Sequence, residues 1–387
     1  MPYSKFSFIH QELEHRKAAH QLRHLANVRP LAEGKISIDG HVMDNFCSND
    51  YLGLSRHSLL QERSLQFMKQ YGNGATASRL VCGNIACYDL VENKLAAMKG
   101  SEAVLIFNSG FQANISLLAA LADRHSLIIA DKLCHNSLVQ GSLLSRGTLM
   151  RYRHNDLDNL TRILHESGKK KYSRIFVVTE SVFSMDGDFC NIEALQELAT
   201  QFNAILFIDE AHATGVFGEN GMGLTYGREI DLVMGTFGKA CGSFGAYLCC
   251  TKEIAEYLTN CCTGLMYSTA LPPSVLGAID AALDLIPGMQ RQRDYLVDMS
   301  RYLRTALQGL GFDTGQSTSQ IVPVIIGSEK KTMLLSRWLA EHSILASAIR
   351  PPTVEKGKAR LRLTLSALHT KEQIDHLIHV LQQWQHK

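Results

Sequence analysis

Ala204-Ile-Leu-Phe-Ile-Asp209-Glu-Ala-His212 and, further along, Leu232-Val-Met-Gly235-Thr236-Phe-Gly-Lys239-Ala240 decide how this chain folds. Each begins as a short apolar run and closes on polar or charged residues. Runs that are apolar toward both sides are how strands read when helices cover both faces of a sheet. Four more lie around them, at 103–107, 127–130, 174–179 and 246–250, and helical segments alternate with them. The pattern predicts an α/β fold with a mostly parallel central sheet and helices on both faces.

Away from this core the chain changes character. Residues 1–50 read as an N-terminal arm, with a helix over 8–25 and then an extended stretch ending in Cys47-Ser-Asn49-Asp-Tyr-Leu-Gly53. Residues 51–290 read as a large domain and 291–387 as a smaller C-terminal α+β domain, with strands over 321–326 and 360–364 and helices over 330–341 and 371–385. Leu271-Pro-Pro-Ser274 breaks the alternation, and one long helix is expected from there to about 310. There is no internal repeat or low-complexity tract.

The 387 residues, 45% hydrophobic and 20% charged, suffice for one large core beside a smaller lobe and exclude a disordered chain. With 39 basic and 37 acidic side chains the net charge is +2, too small to gather nucleic acid or anionic membrane, so the expected partner is a small molecule. The N-terminus carries charges throughout and lacks the pattern of a secretory signal, and no run of about 18 apolar residues occurs. A cytoplasmic protein is expected. The cysteines form no Cys-x-x-Cys pair, and the doublets Cys249-Cys250 and Cys261-Cys262 are poorly spaced for chelation. They are expected to be buried reduced thiols, with no metal site.

In open α/β sheets the ligand crevice lies beyond the carboxyl ends of the strands. The residues just after each run form a set. Asn108-Ser109-Gly110-Phe111-Gln112-Ala113-Asn114 is a small-residue turn opening a helix, whose free N–H groups and dipole suit a phosphate. Then come Asp131 and His135, Glu180 and Ser181, Asp209 and His212, and Thr236 and Lys239. Singly, a helix-opening glycine or a strand-end histidine is more often structural. Together they supply a phosphate cradle, a flat imidazole, a buried acid, a second imidazole and a lysine. Pyridoxal 5'-phosphate requires a lysine for its aldehyde and a carboxylate for its ring nitrogen, so Lys239 and Asp209 point to that cofactor. Asp209-Glu-Ala-His212 also spells a helicase-type box, but the Gly-Lys at 238–239 is followed by Ala240, with Val233 where a phosphate-binding loop needs its first glycine. Gly218-Glu-Asn-Gly221-Met-Gly223 reverses the dinucleotide-binding spacing and reads as a turn.

These residues resemble fold-type I pyridoxal-phosphate-dependent transferases and, within them, the α-oxoamine synthases, which condense an amino acid with an acyl thioester and release carbon dioxide. The likeness runs through Ser48-Asn49-Asp-Tyr-Leu-Gly-Leu54, Ser78-Arg-Leu-Val-Cys-Gly-Asn84, Glu180-Ser-Val-Phe-Ser-Met-Asp-Gly-Asp188, Asp209-Glu-Ala-His-Ala-Thr-Gly215, Thr236-Phe-Gly-Lys239, Tyr267-Ser-Thr269 and Arg350-Pro-Pro-Thr353-Val354. The last stretch looks most like members that join L-alanine to pimeloyl-CoA or pimeloyl-acyl carrier protein.

The resemblance implies roles. Lys239 would hold the cofactor and act as base, Asp209 would pair with the ring nitrogen, and His135 would stack on the ring. His212 and Ser181 would lie at the phenolic oxygen. Ser109, Gly110, Phe111 and Thr236 would surround the phosphate, joined by Ser268 and Thr269 from the second subunit of a homodimer. Arg350 would grip the amino-acid carboxylate, with Arg23, Asn49, His135 and Thr353 facing substrate. Tyr88, Thr76, Cys241 and Glu355 depart from the family pattern without removing a group used in the chemistry; Thr76 and Glu355 bear on substrate choice. The alternatives are a glycine C-acetyltransferase-like enzyme of the same family or a non-catalytic partner subunit, whose marker would be loss of Lys239.

Overall fold

Neighbouring residues along each core strand turn to opposite sides of one sheet, as the period of two requires. Ile128, Ala130, Phe176, Val178 and Phe207 join one apolar cluster, with Ala113, Leu117 and Leu138 from the helices Gly110–Leu121 and Asn136–Leu144. Leu127, Ile129, Val177, Leu206 and Ile208 join another, with Leu160, Ile163 and Leu195 from Leu157–Ser167 and Ile192–Gln201. The strands therefore read as unbroken apolar runs because both faces are covered.

The computed structural model describes residues 5–19, 21–168 and 172–385. They divide into two units: one comprises the residues up to 48, 185–187 and those from 296 onward, the other 49–184 and 188–295. The second unit carries a seven-stranded sheet in the order Ala103–Phe107, Ala246–Cys250, Leu232–Thr236, Ile205–Asp209, Arg174–Glu180, Ser126–Asp131, Thr148–Tyr152. All pairs are parallel except those of Ala246–Cys250, which runs antiparallel to both neighbours. The six apolar runs are all strands of this sheet. Thr148–Tyr152 was not expected; it lies at the sheet edge, half covered and carrying Arg151, so its sequence lacks the apolar signature. Gly235 meets Tyr247 in register on the adjacent strand, where an added Cβ would lie 2.2 Å from the ring. The Tyr247 hydroxyl is tied to Thr214 Oγ1 at 2.7 Å.

The first unit holds a four-stranded sheet of Val28–Pro30, Lys35–Ile38, His41–Asn45 and Ile344–Leu345. Beside it is an antiparallel sheet of Ile321–Gly327, Ala359–Thr364 and Ser347–Ile349 with the helices Glu329–Glu341 and Lys371–Gln385. The N-terminal segment is thus woven into the C-terminal residues: Thr364 N–H donates to Phe46 O at 2.9 Å, and His369 stacks on Phe46 at 4.4 Å.

Three expectations need correction. The helix expected over 8–25 spans Ser7–Ala18 and buries no residue: Phe8, Ile9 and Leu13 all stay exposed. The single helix expected up to about 310 is two, Pro273–Leu285 and Gln290–Gly309, separated by the tight turn Ile286–Gly288. Pro287 in that turn has no N–H to continue the ladder. Seven cysteines are buried, but Cys82 and Cys261 are exposed.

His154 clamps the carboxyl end of strand Ser126–Asp131. Its Nδ1 lies 3.0 Å from Asp131 Oδ1 and its Nε2 2.7 Å from Asp188 Oδ2. Burial alone would lower the imidazole's pKa, but the hydrogen bonds and charges of Asp131 and Asp188 outweigh it and raise it to about 10. A raised folded-state pKa stabilises fully below the unfolded value of about 6.5 and is lost as pH rises through the folded value. Urea midpoints are therefore expected to decline between about pH 6.5 and 10, and His154→Gln should flatten that dependence. An equally steep decline in the variant would remove His154 as its cause.

Candidate active site

Three parallel strands, Arg174–Glu180, Ile205–Asp209 and Leu232–Thr236, end side by side, with Glu180 in register with Asp209 and Asp209 with Met234. Asp209 is 5% exposed. A buried carboxylate must be met by donors. Its Oδ1 accepts the Ala211 N–H at 2.8 Å, a turn formed within its own loop, and its Oδ2 accepts Asn114 Nδ2 at 2.8 Å. Asn114 Nδ2 also reaches Ser137 Oγ at 2.9 Å, and that oxygen lies 2.7 Å from His135 Nδ1. The Ser137 backbone N–H donates to His135 Nδ1 at 3.3 Å, so this nitrogen is the acceptor and the proton of the neutral ring sits on Nε2. Partial dehydration lowers the pKa of His135, with Asp209 opposing the shift and Lys239 adding to it. A neutral, oriented ring results.

Glu180 is almost fully buried and accepts the His135 N–H at 2.5 Å. Burial first, then the charge of Asp209, push its pKa well up against the pull of Lys239. The Ser181 N–H donates to Asp209 O at 2.9 Å, fixing the turn between the two strand ends.

Lys239 follows strand Leu232–Thr236 in a loop held by Thr236, whose Oγ1 donates to Gly245 O at 2.9 Å and accepts the Gly238 N–H at 3.1 Å. Lys239 Nζ lies 2.8 Å from His212 Nε2. On the other side of that ring, Nδ1 lies 2.6 Å from the hydroxyl of Tyr51, which donates to Asn49 Oδ1 at 3.1 Å.

Ser109 caps the helix Gly110–Leu121 by accepting the Gln112 N–H at 3.1 Å. The N–H groups of Gly110 and Phe111 have no hydrogen-bond partner among the described residues. These are the donors with which a helix start takes an anion. Ser268 and Thr269 of the same chain reach this end: Gln112 Nε2 bonds Ser268 Oγ, and Asn108 Nδ2 donates to Thr269 O at 2.8 Å.

In the first unit, Arg23 donates to Thr353 Oγ1 at 3.1 Å. Arg350 lies beside them: burial and then the charge of Arg23 lower its pKa. Two guanidinium groups and a hydroxyl are thus neighbours here.

The second unit thus brings Lys239 against His212, joins Asp209 to His135 through Asn114 and Ser137, and sets Ser268 and Thr269 beside the helix capped by Ser109. Sequence reasoning assigned no role to Tyr51 or Asn114. Spacing places Tyr51 two residues from Asn49 and Asn114 one helical turn beyond Gly110, but not the partners His212 and Asp209 that give them their roles. Glu210, the other acid of the helicase-like box, is structural: its Oε2 lies 3.4 Å from the buried Lys99 Nζ and its Oε1 accepts the Thr225 N–H at 2.8 Å. Free helix-start amides, a buried acid and an accessible amine fit a ligand with a phosphate, a basic ring nitrogen and an aldehyde.

The sequence matches the family Aminotransferase class I and II over residues 42–381. A Desulfosudis oleivorans protein that carries 8-amino-7-oxononanoate synthase as a provisional name is 53% identical over 98% of this chain and 99% of its own. The 8-amino-7-oxononanoate synthase of Gluconacetobacter diazotrophicus is 44% identical over 89% of this chain and 88% of its own. Among solved structures, a serine palmitoyltransferase of Sphingomonas wittichii superimposes with a TM-score of 0.92 at 26% identity, covering 98% of both chains. This chain therefore belongs to the class I and II aminotransferase family, whose fold-type I members here use pyridoxal 5'-phosphate, and within it to the 8-amino-7-oxononanoate synthases.

Proposed function

We propose that the chain condenses L-alanine with a pimeloyl thioester, on coenzyme A or an acyl carrier protein, to give 8-amino-7-oxononanoate, carbon dioxide and the free thiol, a step of biotin synthesis. The observation that carries this reading is the convergence of Lys239, His212, Asp209 and His135 at the carboxyl ends of adjacent strands in a chain so similar to 8-amino-7-oxononanoate synthases. Bound pyridoxal phosphate would supply the electron sink for a carbanion at the alanine Cα.

The chain's own residues do the rest. Lys239 would hold the cofactor aldehyde, and its Nζ would be the base for the alanine Cα proton. Asp209, kept buried and oriented by Asn114 and Ala211, would hold the ring nitrogen's proton. His135 would hold the cofactor ring, and His212 with Ser181 its phenolic oxygen. The amides of Gly110 and Phe111, with Ser109 and Thr236, would take the phosphate, and Ser268 and Thr269, which lie at that end in the same chain, would complete it in a homodimer. Arg350 grips the alanine carboxylate, with Arg23, Asn49 and Thr353 at the substrate. The new bond joins the alanine Cα to the thioester carbonyl carbon as the thiolate leaves; the carboxylate departs as carbon dioxide, and Cα is reprotonated.

The likeness to a serine palmitoyltransferase favours a second reading, L-serine with a long-chain acyl thioester. A panel of alanine, serine and glycine against pimeloyl, palmitoyl, acetyl and succinyl thioesters separates the readings. Carbon dioxide release is expected only with alanine and pimeloyl; a preference for any other pair would replace the proposal. Borohydride should fix the cofactor on Lys239, and Lys239→Ala should lose both label and turnover; an active alanine variant excludes the mechanism. Asp209→Asn should slow turnover by about two to three orders of magnitude while the fold persists. Near-normal kcat in that variant would contradict its role. Arg350→Ala should raise the alanine KM by about 10- to 100-fold, the worth of a charge-assisted hydrogen-bonded pair.

A further inference from the structure

The buried hydroxyl behind His212 has no part in the reaction as derived above. Tyr51 is 0% exposed and His212 5% exposed. The phenol has one proton, and Asn49 Oδ1, an oxygen that can only accept, takes it at 3.1 Å. The remaining role for the phenol oxygen toward His212 Nδ1, at 2.6 Å, is acceptor. Nδ1 then bears the imidazole proton, and Nε2 presents a lone pair to Lys239 Nζ at 2.8 Å.

We propose that Tyr51, oriented by Asn49, is a positioning residue that fixes His212 as its Nδ1-protonated tautomer and so makes Nε2 the acceptor for a proton from Lys239. The step balances within the chain. An N–H bond of the Lys239 ammonium breaks, and the proton joins His212 Nε2. The resulting imidazolium keeps its Nδ1–H on the Tyr51 oxygen, while the Tyr51 proton stays on Asn49. Lys239 becomes a neutral amine, the form that can act as a nucleophile and a base. The reverse transfer restores the ammonium. Other charges near this path are Glu180, Asp209 and His135, which act on Lys239 through space. None of them occupies the hydrogen-bond line from Lys239 to Tyr51. The inference rests on the reading that Lys239 is the reactive amine.

The test uses the full-length holoenzyme labelled with 15N at histidine, with the His212 signals assigned by their disappearance in His212→Asn. Wild type should give the Nδ1-protonated pattern. Tyr51→Phe, which keeps the ring and removes the acceptor, should shift His212 toward a mixture of tautomers and lower kcat about tenfold, with the alanine KM little changed. Asn49→Ala frees the phenol proton for Nδ1 and should move the signal to the Nε2-protonated pattern. If one variant fails to fold, the other still decides. An Nε2-protonated wild type, or tautomer signals unchanged in the folded variants, overturns the proposal. Borohydride labelling of wild type is read separately: a label absent from Lys239 would sink the underlying assignment of the lysine, whereas a label present with an unmoved tautomer sinks only the role of Tyr51.

Discussion

The structure of the site hangs on the burial of the Asp209 carboxylate. Removing an unpaired carboxylate from water costs several kcal/mol, so its surroundings are constrained to supply donors. The two found here come from different elements, one from the loop Asp209 itself begins, the other from Asn114 on the helix Gly110–Leu121. That helix is the one whose first amides lack partners among the described residues, so a single side chain ties the acid to that helix start. The second hydrogen bond of Asn114 carries the constraint on through Ser137 to His135.

Three acids lie close together here with different fates. Asp209 faces the site with its donors. Glu210, next in the chain, pairs with Lys99 in a nearly water-free position and holds the loop at Thr225. Glu180, in register on the adjacent strand, cannot ionise cheaply beside Asp209 and serves instead as acceptor for the His135 backbone. Proximity alone would not distinguish them; the partner each one meets does.

The strands were legible because burial on both faces leaves an unbroken apolar run, as in Phe176 to Val178, and because the residues following each run are polar. The edge strand Thr148–Tyr152 was not, since half of it faces solvent and its sequence resembles a loop. The arm's three short strands escaped for a related reason: Val28–Pro30 is exposed throughout and Lys35–Ile38 mostly half-buried, and only His41–Asn45 gains a partner strand from distant residues, Ile344–Leu345. At the site, residues at strand ends could be named from position. Tyr51 and Asn114 could not be given roles, because their roles are relations to other side chains, His212 and Asp209, brought near only by folding.

Gly235 shows how little freedom the strand leading to Lys239 retains. With the Tyr247 ring lying across its Cα, and that ring's hydroxyl fastened to Thr214, even one methyl group has nowhere to go. An engineer seeking a roomier cleft must therefore leave this strand as it is and work on the loops, where Thr76 already holds a left-handed backbone at φ 60° that glycine would accept more readily.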